Sequence, residues 1–314
     1  MSQTILNTQI LILHEERRKF MKKGKIIVIE GTDCSGKETQ SNLLIEKLNK
    51  EGIKTCYYSF PSYETPTGKI IGLPYLGKPY LAQELVNLHT EEAKRKLQEK
   101  IKKRLKETYK TYKNRRNIDL PKKHYNEELI DQAFAVLAEE IGVGWFPEGA
   151  PNVDSKIASG YYAIDRAYNL PIINGLLEEG NNVVVDRYMY SNMAHQGGKK
   201  ENFDERSKFY EWDRYLEMEM YGLPESDIRI FLHMPTEYVT FLKSGRSEAL
   251  DEHERDFKHL SDAERAYLEI ASLYSFTTID CIGARSDPIA KSDIKTIDEI
   301  SKEVFDTVVR KLTR

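Results

Sequence analysis

The chain has 314 residues, a formal net charge of −3 and 40% hydrophobic residues, enough to bury a substantial core as one large domain or a domain with an insertion. That charge is not one built to neutralise nucleic acid, and no apolar run approaches the ~18 residues that cross a bilayer. Cys34, Cys56 and Cys281 are scattered, odd in number and without a C-x-x-C pair, so they point to neither a disulfide framework nor a zinc site and fit a reducing, cytoplasmic setting.

Residues 1–20 read as a peripheral tail. Their mildly apolar start lacks the basic segment and small-residue cleavage site of a signal peptide. Ile26-Ile-Val-Ile29 is a predicted strand. It leads into Gly31-Thr-Asp-Cys-Ser-Gly-Lys-Glu38, and Thr39 to Leu48 then has the pattern of a helix. Strand, glycine loop and helix in this order are the context of a G-x-x-x-x-G-K phosphate-binding loop. Gly31 and Gly36 let successive N–H groups turn into one hollow, and a helix N-terminus behind it favours phosphate oxygens. Lys37 adds a mobile full charge. The next position, where Ser or Thr usually offers a hydroxyl to Mg²⁺, is Glu38.

Lys54 to Phe60 is a second predicted strand, ended by Pro61, and a short helix follows from Thr67. Between about 81 and 153 the texture changes. Residues 91–117 hold twelve basic and four acidic residues, while Leu97, Ile101, Leu105 and Tyr112 recur at helical spacing. Such a basic amphipathic helix reads as a solvated face, with a nucleic-acid or partner grip as the alternative. A second helix is predicted over Glu127 to Ile141. Asp154 to Leu177 reads as a helix interrupted by Pro171. Asn182 to Val185, Asp227 to His233 and Phe276 to Asp280 are further strands. Ser261 to Ser272 and Ile297 to Leu312 are helices. The alternation predicts an α/β fold: a parallel sheet of about five strands covered by helices on both faces, with a helical insertion.

Several stretches together resemble the thymidylate kinase family of P-loop nucleoside monophosphate kinases. Glu30 to Asp33 with Gly36 to Gln40 resembles its phosphate loop. Phe60-Pro61 followed by Thr67-Gly-Lys69 resembles its second strand and turn. Tyr162-Ala-Ile-Asp-Arg166 resembles its F-A-x-D-R helix. Asp186-Arg-Tyr188, with Ser191-Asn192 and His195-Gln-Gly-Gly198, resembles its D-R-Y loop, in the branch that carries H-Q-G-G. Gly222-Leu-Pro224 resembles the approach to the fourth strand, and Leu250 to Asp256 the lid and its exit. The resemblance implies a three-layer P-loop kinase fold over 21–314, with the 81–153 insertion and a lid at 243–256. It also implies a homodimer without membrane or nucleic-acid partners, although the basic stretch keeps a nucleotide-dependent binding protein on a kinase scaffold open as a rival.

What it implies for chemistry is transfer of the ATP γ-phosphoryl group to dTMP with Mg²⁺; phosphorylation of another deoxynucleoside monophosphate is the nearest alternative. Both partners are anionic, so placement and charge neutralisation dominate. ATP would lie on Gly31, Thr32, Asp33, Cys34, Ser35, Gly36, Lys37, Glu38 and Thr39. Lys37, Asp186, Arg187 and Arg246 are the implied catalytic residues, with Asp186 orienting Arg187 or a metal-bound water. Asp33, Phe60, Tyr162, Arg166, Arg187, Asn192, His195 and Gln196 would hold the acceptor: Tyr162 stacks on the base, Arg166 reads its carbonyl edge, and Asp33 accepts from the sugar. Glu38 and Asp186 are the candidate metal ligands. The chain departs from the family at Ser62 and Tyr63, where an arginine often stands, and at His195, where Tyr or Phe is common.

Overall fold

The computed structural model describes residues 23–76, 150–243 and 257–313. The expected tail over 1–20, the insertion apart from its last residues, most of the lid and Arg246 lie outside them.

The central strand β1, Ile26–Gly31, is buried along its whole length, as a strand covered on both faces must be. It lies between β3, Asn182–Asp186, and β4, Ile228–His233; β2, Thr55–Ser59, and β5, Thr277–Asp280, form the edges. The order is β2-β3-β1-β4-β5 and every pairing is parallel. Period-two alternation sends Ile26 and Val28 into one apolar layer with Val183, Val185, Ile173 and Leu177. Ile27 and Ile29 go into the other, with Leu44, Leu48, Ile230, Leu232 and Val304. The sheet is therefore a plane between two cores, and the expected five-stranded parallel α/β fold is the one observed.

Helix α1, Lys37–Lys50, follows the glycine loop, and α2, Pro66–Ile70, follows β2. Helix α3, Ser155–Glu178, starts where Asp154 accepts the N–H groups of Lys156 and Ile157. It does not break at Pro171, contrary to the sequence reading. Ile173 and Leu177, beyond the proline, are buried against the sheet, and that packing outweighs one missing N–H bond. A short helix α4, Met189–Asn192, runs into a π-helical turn, Met193–Gly197. Helix α5, Phe203–Arg214, runs into another, Tyr215–Met220. Neither was singled out in sequence. The charged interior of α5 hides its period, but Asn202 caps it by accepting from Glu205 N at 2.9 Å. Then come α6, Val239–Lys243, α7, Phe257–Leu273, and α8, Ile297–Leu312, the last opened by a reciprocal Thr296–Glu299 cap.

Ile29 pairs with Asp186 in register, and Gly31 pairs with Leu232. The loops after β1 and β3 thus leave the sheet side by side at the carboxyl ends of the strands, where the strand order reverses and open α/β sheets bind ligands.

Candidate active site

The loop after β1 has two left-handed residues, Cys34 at φ 62° and Gly36 at φ 78°. Gly36 is the N-cap of α1 and no side chain caps that end, so the first-turn N–H groups are left for an anion. Gly31 is needed for a different reason: a Cβ there would stand 2.4 Å from Ser35 Oγ and 2.8 Å from the Leu232 carbonyl oxygen. Thr32 ties the loop to β4, donating from Oγ1 to Met234 O at 2.6 Å and accepting from Met234 N at 2.9 Å. Lys37 is buried and its Nζ donates to the carbonyls of Gly31 and Thr32 at 2.9 and 3.0 Å. Burial, with Arg187 nearby, lowers its pKa.

Arg187 follows β3 in a left-handed conformation, φ 65°. Its Nη2 donates to Asp33 Oδ1 at 3.1 Å and its Nη1 to His195 Nε2 at 3.2 Å. Because Nε2 accepts, Nδ1 of His195 carries the proton and faces His259 Nε2 at 3.2 Å. Burial favours the ionised form of neither group. For Asp33, Arg187 and Lys37 overcome that and hold the carboxyl well below its ordinary range. For His195 nothing does, and burial with Arg187 holds the imidazole well below its usual value. So Asp33, Lys37, Arg187 and His195 come together, and Asp33 rather than Asp186 orients the Arg187 guanidinium.

Asp186 instead accepts from the Tyr57 hydroxyl at 3.1 Å through Oδ2, while its buried Oδ1 has no hydrogen-bond partner among the described residues. Burial, Asp186 and then Glu38 keep the Tyr57 phenol protonated far above its usual range, so both candidate metal ligands bear on one hydroxyl. Glu38 itself is exposed on the first turn of α1. Among the described residues no group of three His, Cys, Asp or Glu side chains is arranged to hold a metal. A divalent cation fits here as an ion carried mainly by phosphate and water, with Asp186 Oδ1 as the orphan oxygen it would satisfy.

Sequence reasoning passed over Glu30. It lies at the carboxyl end of β1, fully buried, and accepts from Tyr188 N, Ser191 N, Ser191 Oγ and Tyr267 OH at 2.7, 3.1, 2.5 and 3.2 Å. Burial raises its pKa despite these bonds. It is the strut that holds the start of the D-R-Y loop against β1.

The candidate acceptor residues form a second group. Asp165 accepts from Ser62 N at 2.8 Å and Thr67 Oγ1 at 2.7 Å, fixing the turn after β2 against α3. This places the Phe60 ring centre 5.9 Å from the Arg166 guanidinium carbon. Tyr162 meets Tyr75 edge-on at 5.8 Å, and the Tyr75 hydroxyl accepts from Gln196 Nε2 at 3.4 Å. Arg166 is bound through Nε and Nη2 to Glu217, the Nη2–Oε1 distance being 2.5 Å. Removing one member of so buried a pair costs ~3–5 kcal/mol. Asn192 Nδ2 donates to Asp213 Oδ1 at 2.8 Å and to Glu217 Oε1 at 3.3 Å. Burial and Glu217 push the Asp213 carboxyl well above its ordinary range. Asp213 and Glu217 fall in no motif, and only their spacing of four within a helical stretch hinted at a shared face.

A family model described as thymidylate kinase matches residues 29–115 and 148–284. A putative thymidylate kinase of Invertebrate iridescent virus 6 is 41% identical over 66 residues, 21% of this chain and 31% of that protein. The thymidylate kinase of Plasmodium falciparum is 42% identical over 67 residues, 21% of this chain and 32% of that protein. This chain thus spans about a third of the length of these curated relatives. The human thymidylate kinase is 22% identical over 88% of this chain and 91% of its own. In fold, the chain is similar to a thymidylate kinase from Candida albicans, with a TM-score of 0.52 at 20% identity and 92% of each chain covered. With the family model matched over well more than half its length, through both the glycine loop and the D-R-Y loop, the chain belongs to the thymidylate kinase family.

Proposed function

We propose that this protein transfers the ATP γ-phosphoryl group to dTMP, giving dTDP, and that it belongs to the branch with an H-Q-G-G loop. The observation that carries the reading is the convergence of Lys37, Asp33 and Arg187 at the ends of β1 and β3, within a chain of this family. ATP phosphates take the loop N–H groups at α1, and Lys37 exchanges two carbonyl partners for phosphate oxygens. Arg187, braced by Asp33 and His195, faces the acceptor phosphate and neutralises charge there. Mg²⁺, when bound, would supply charge neutralisation on the donor phosphates, and Asp186 and Glu38 are the residues that would hold its waters. Arg246, in the lid, adds charge on the transferring group. Phe60, Tyr162, Arg166, Asn192 and Gln196 enclose the base.

The domain arrangement that goes with this reading is a kinase core over 21–314 with a tail at 1–20, a helical insertion at 81–153 and a lid at 243–256. The family match breaks between 116 and 147, inside that insertion. A homodimer would cover Ile157 and Ile164 on α3, which are 55% and 46% exposed. No described helix is long and apolar enough to cross a membrane, and we place the protein in the cytoplasm.

A coupled ADP-release assay with ATP, Mg²⁺ and a panel of nucleoside monophosphates tests the activity. Turnover with dTMP is expected; turnover only with another monophosphate corrects the acceptor, and none with any acceptor refutes the kinase reading. Salt-sensitive binding of DNA that disappears on deleting 81–153 would instead favour the nucleic-acid rival.

A further inference from the structure

Two buried carboxyl groups lie behind the candidate base pocket with no role in phosphoryl transfer. Glu217 comes from the π-helical turn Tyr215–Met220 and Asp213 from α5. Arg166 and Glu217 are 2% and 1% exposed. Glu217 occupies the Nε–Nη2 edge of the guanidinium, so a ligand is met by the opposite edge, where Nη1 and the second Nη2 hydrogen donate. The same two carboxyls accept from the Asn192 amide nitrogen at 2.8 and 3.3 Å, beside the Ser159 carbonyl at 3.4 Å. That turns the Asn192 carbonyl away from them; Oδ1 is buried and has no hydrogen-bond partner among the described residues. The donor edge is held by Glu217 and the acceptor by Asp213 and Glu217, and the two groups meet at Glu217 Oε1.

We infer that Glu217, backed by Asp213, is a positioning residue for recognition of the acceptor base. It holds Arg166 and Asn192 so that one presents N–H donors and the other a carbonyl acceptor. That pattern complements a pyrimidine ring with a carbonyl next to a ring N–H, as in thymine and uracil. It mismatches cytosine, whose amino group and bare ring nitrogen reverse the donor and acceptor. This rests on the proposed activity and adds to it the residue that sets base selection. The competing account is that Glu217 merely staples α5 to α3.

The test is steady-state kinetics of the full-length protein with dTMP and with dCMP, beside thermal melting. Glu217→Gln keeps the shape but sets an amide N–H₂ against one guanidinium nitrogen. KM for dTMP is expected to rise about tenfold, more than kcat falls, with KM for ATP unmoved and the preference for dTMP over dCMP reduced. Arg166→Gln is expected to show the same loss, and the losses in Arg166→Gln with Glu217→Gln to fall well short of additive, since Glu217 acts in large part through Arg166. The double variant removes both members of the ion pair, so it carries the comparison if Glu217→Gln does not fold. An unchanged KM and base preference in folded Glu217→Gln overturns the inference. So does an equal loss with both nucleotides and a lowered melting temperature, or losses that add in the double variant. A wild-type protein that neither binds nor phosphorylates dTMP would instead overturn the functional reading, and this inference with it.

Discussion

Arg187 Nη2 meets Asp33 Oδ1 at 3.1 Å, which joins the loop after β3 to the phosphate loop after β1 across the carboxyl end of the sheet. The arginine is held from a left-handed backbone position by groups on two separate elements. It is placed in advance rather than recruited by substrate. Arg187→Ala is therefore expected to lower kcat/KM by ~10²-fold or more, because a positioned charge on the moving group is lost. Asp33→Asn keeps the shape and weakens the brace, and its kcat/KM should fall less. Asp33→Asn proving the more damaging of the two would mean that the carboxylate touches substrate directly.

The two loop glycines are expected to respond differently to alanine. In Gly31→Ala the new methyl meets the Leu232 backbone carbonyl at 2.8 Å, which cannot swing aside. A loss of ~1–3 kcal/mol in urea unfolding is expected from such overpacking. At Gly36 a Cβ meets nothing within 4 Å, and only the left-handed φ of 78° resists it. That costs ~1 kcal/mol, and Gly36→Ala is expected to fold well and to bind ATP less tightly through a disturbed loop. Equal destabilisation by both would contradict this.

With ATP on the loop as proposed, Glu38 would put a carboxylate near the donor phosphates, a repulsion that a cation between them would relieve. Glu38→Ser is expected to remain active and to need no more Mg²⁺ than wild type, measured by titrating Mg²⁺ at fixed ATP. Complete loss of activity would assign the carboxylate a direct role.

His195 gives a pH signature with a definite sign. Its folded pKa lies well below the ordinary value because burial and Arg187 disfavour the imidazolium. Below about pH 6.5 the unfolded chain takes up a proton that the folded protein does not. Stability contributed by neutral His195 is thus full above that pH and falls as pH drops toward the folded pKa. Between pH 7.5 and 5.5, His195→Gln is expected to lose ~1 kcal/mol less than wild type in denaturant titrations. Identical pH slopes would show that the imidazole takes up its proton over the same range in the folded and unfolded chain, and would overturn this.

Cys34 sits partly exposed in the phosphate loop with a left-handed backbone, whereas Cys281 is fully buried and burial pushes its thiol up to about 12. Iodoacetamide is expected to label Cys34 first, to inactivate the enzyme, and to be blocked by ATP. Cys281 should label only on unfolding. Mass spectrometry with and without ATP decides this, and equal labelling of Cys34 in both conditions would count against it.

The inner strands were legible because parallel strands buried on both faces must be short apolar runs, such as Ile26 to Ile29 and Asn182 to Val185, while the partly buried edge strand β2 was read from its aromatic residues instead. The phosphate loop was legible because its spacing is dictated by the backbone. Helix α5 was hidden by its charged interior, and Pro171 misled because a proline reports a lost bond but not the packing that compensates for it. In the site, single residues were readable and their pairings were not. Asp33 rather than Asp186 holds Arg187, and Glu217 holds Arg166 from 51 positions away. Neither partner can be found from local pattern, because each pairing is set by how distant elements pack.

The sheet order also has a consequence during synthesis. Among the described strands β1 leaves the ribosome first, yet both of its neighbours come much later, starting at Asn182 and Ile228. At roughly 5–20 residues per second, the nascent strand waits on the order of ten seconds for its first partner. The loop that follows it waits longer, because Thr32 is tied to Met234 and Glu30 to Tyr267. For that interval Ile26 to Ile29 is an apolar segment with both edges open, the kind of chain that holdase chaperones capture. Nucleotide can stabilise only chains that have emerged past Tyr267, so it cannot rescue those stalled earlier.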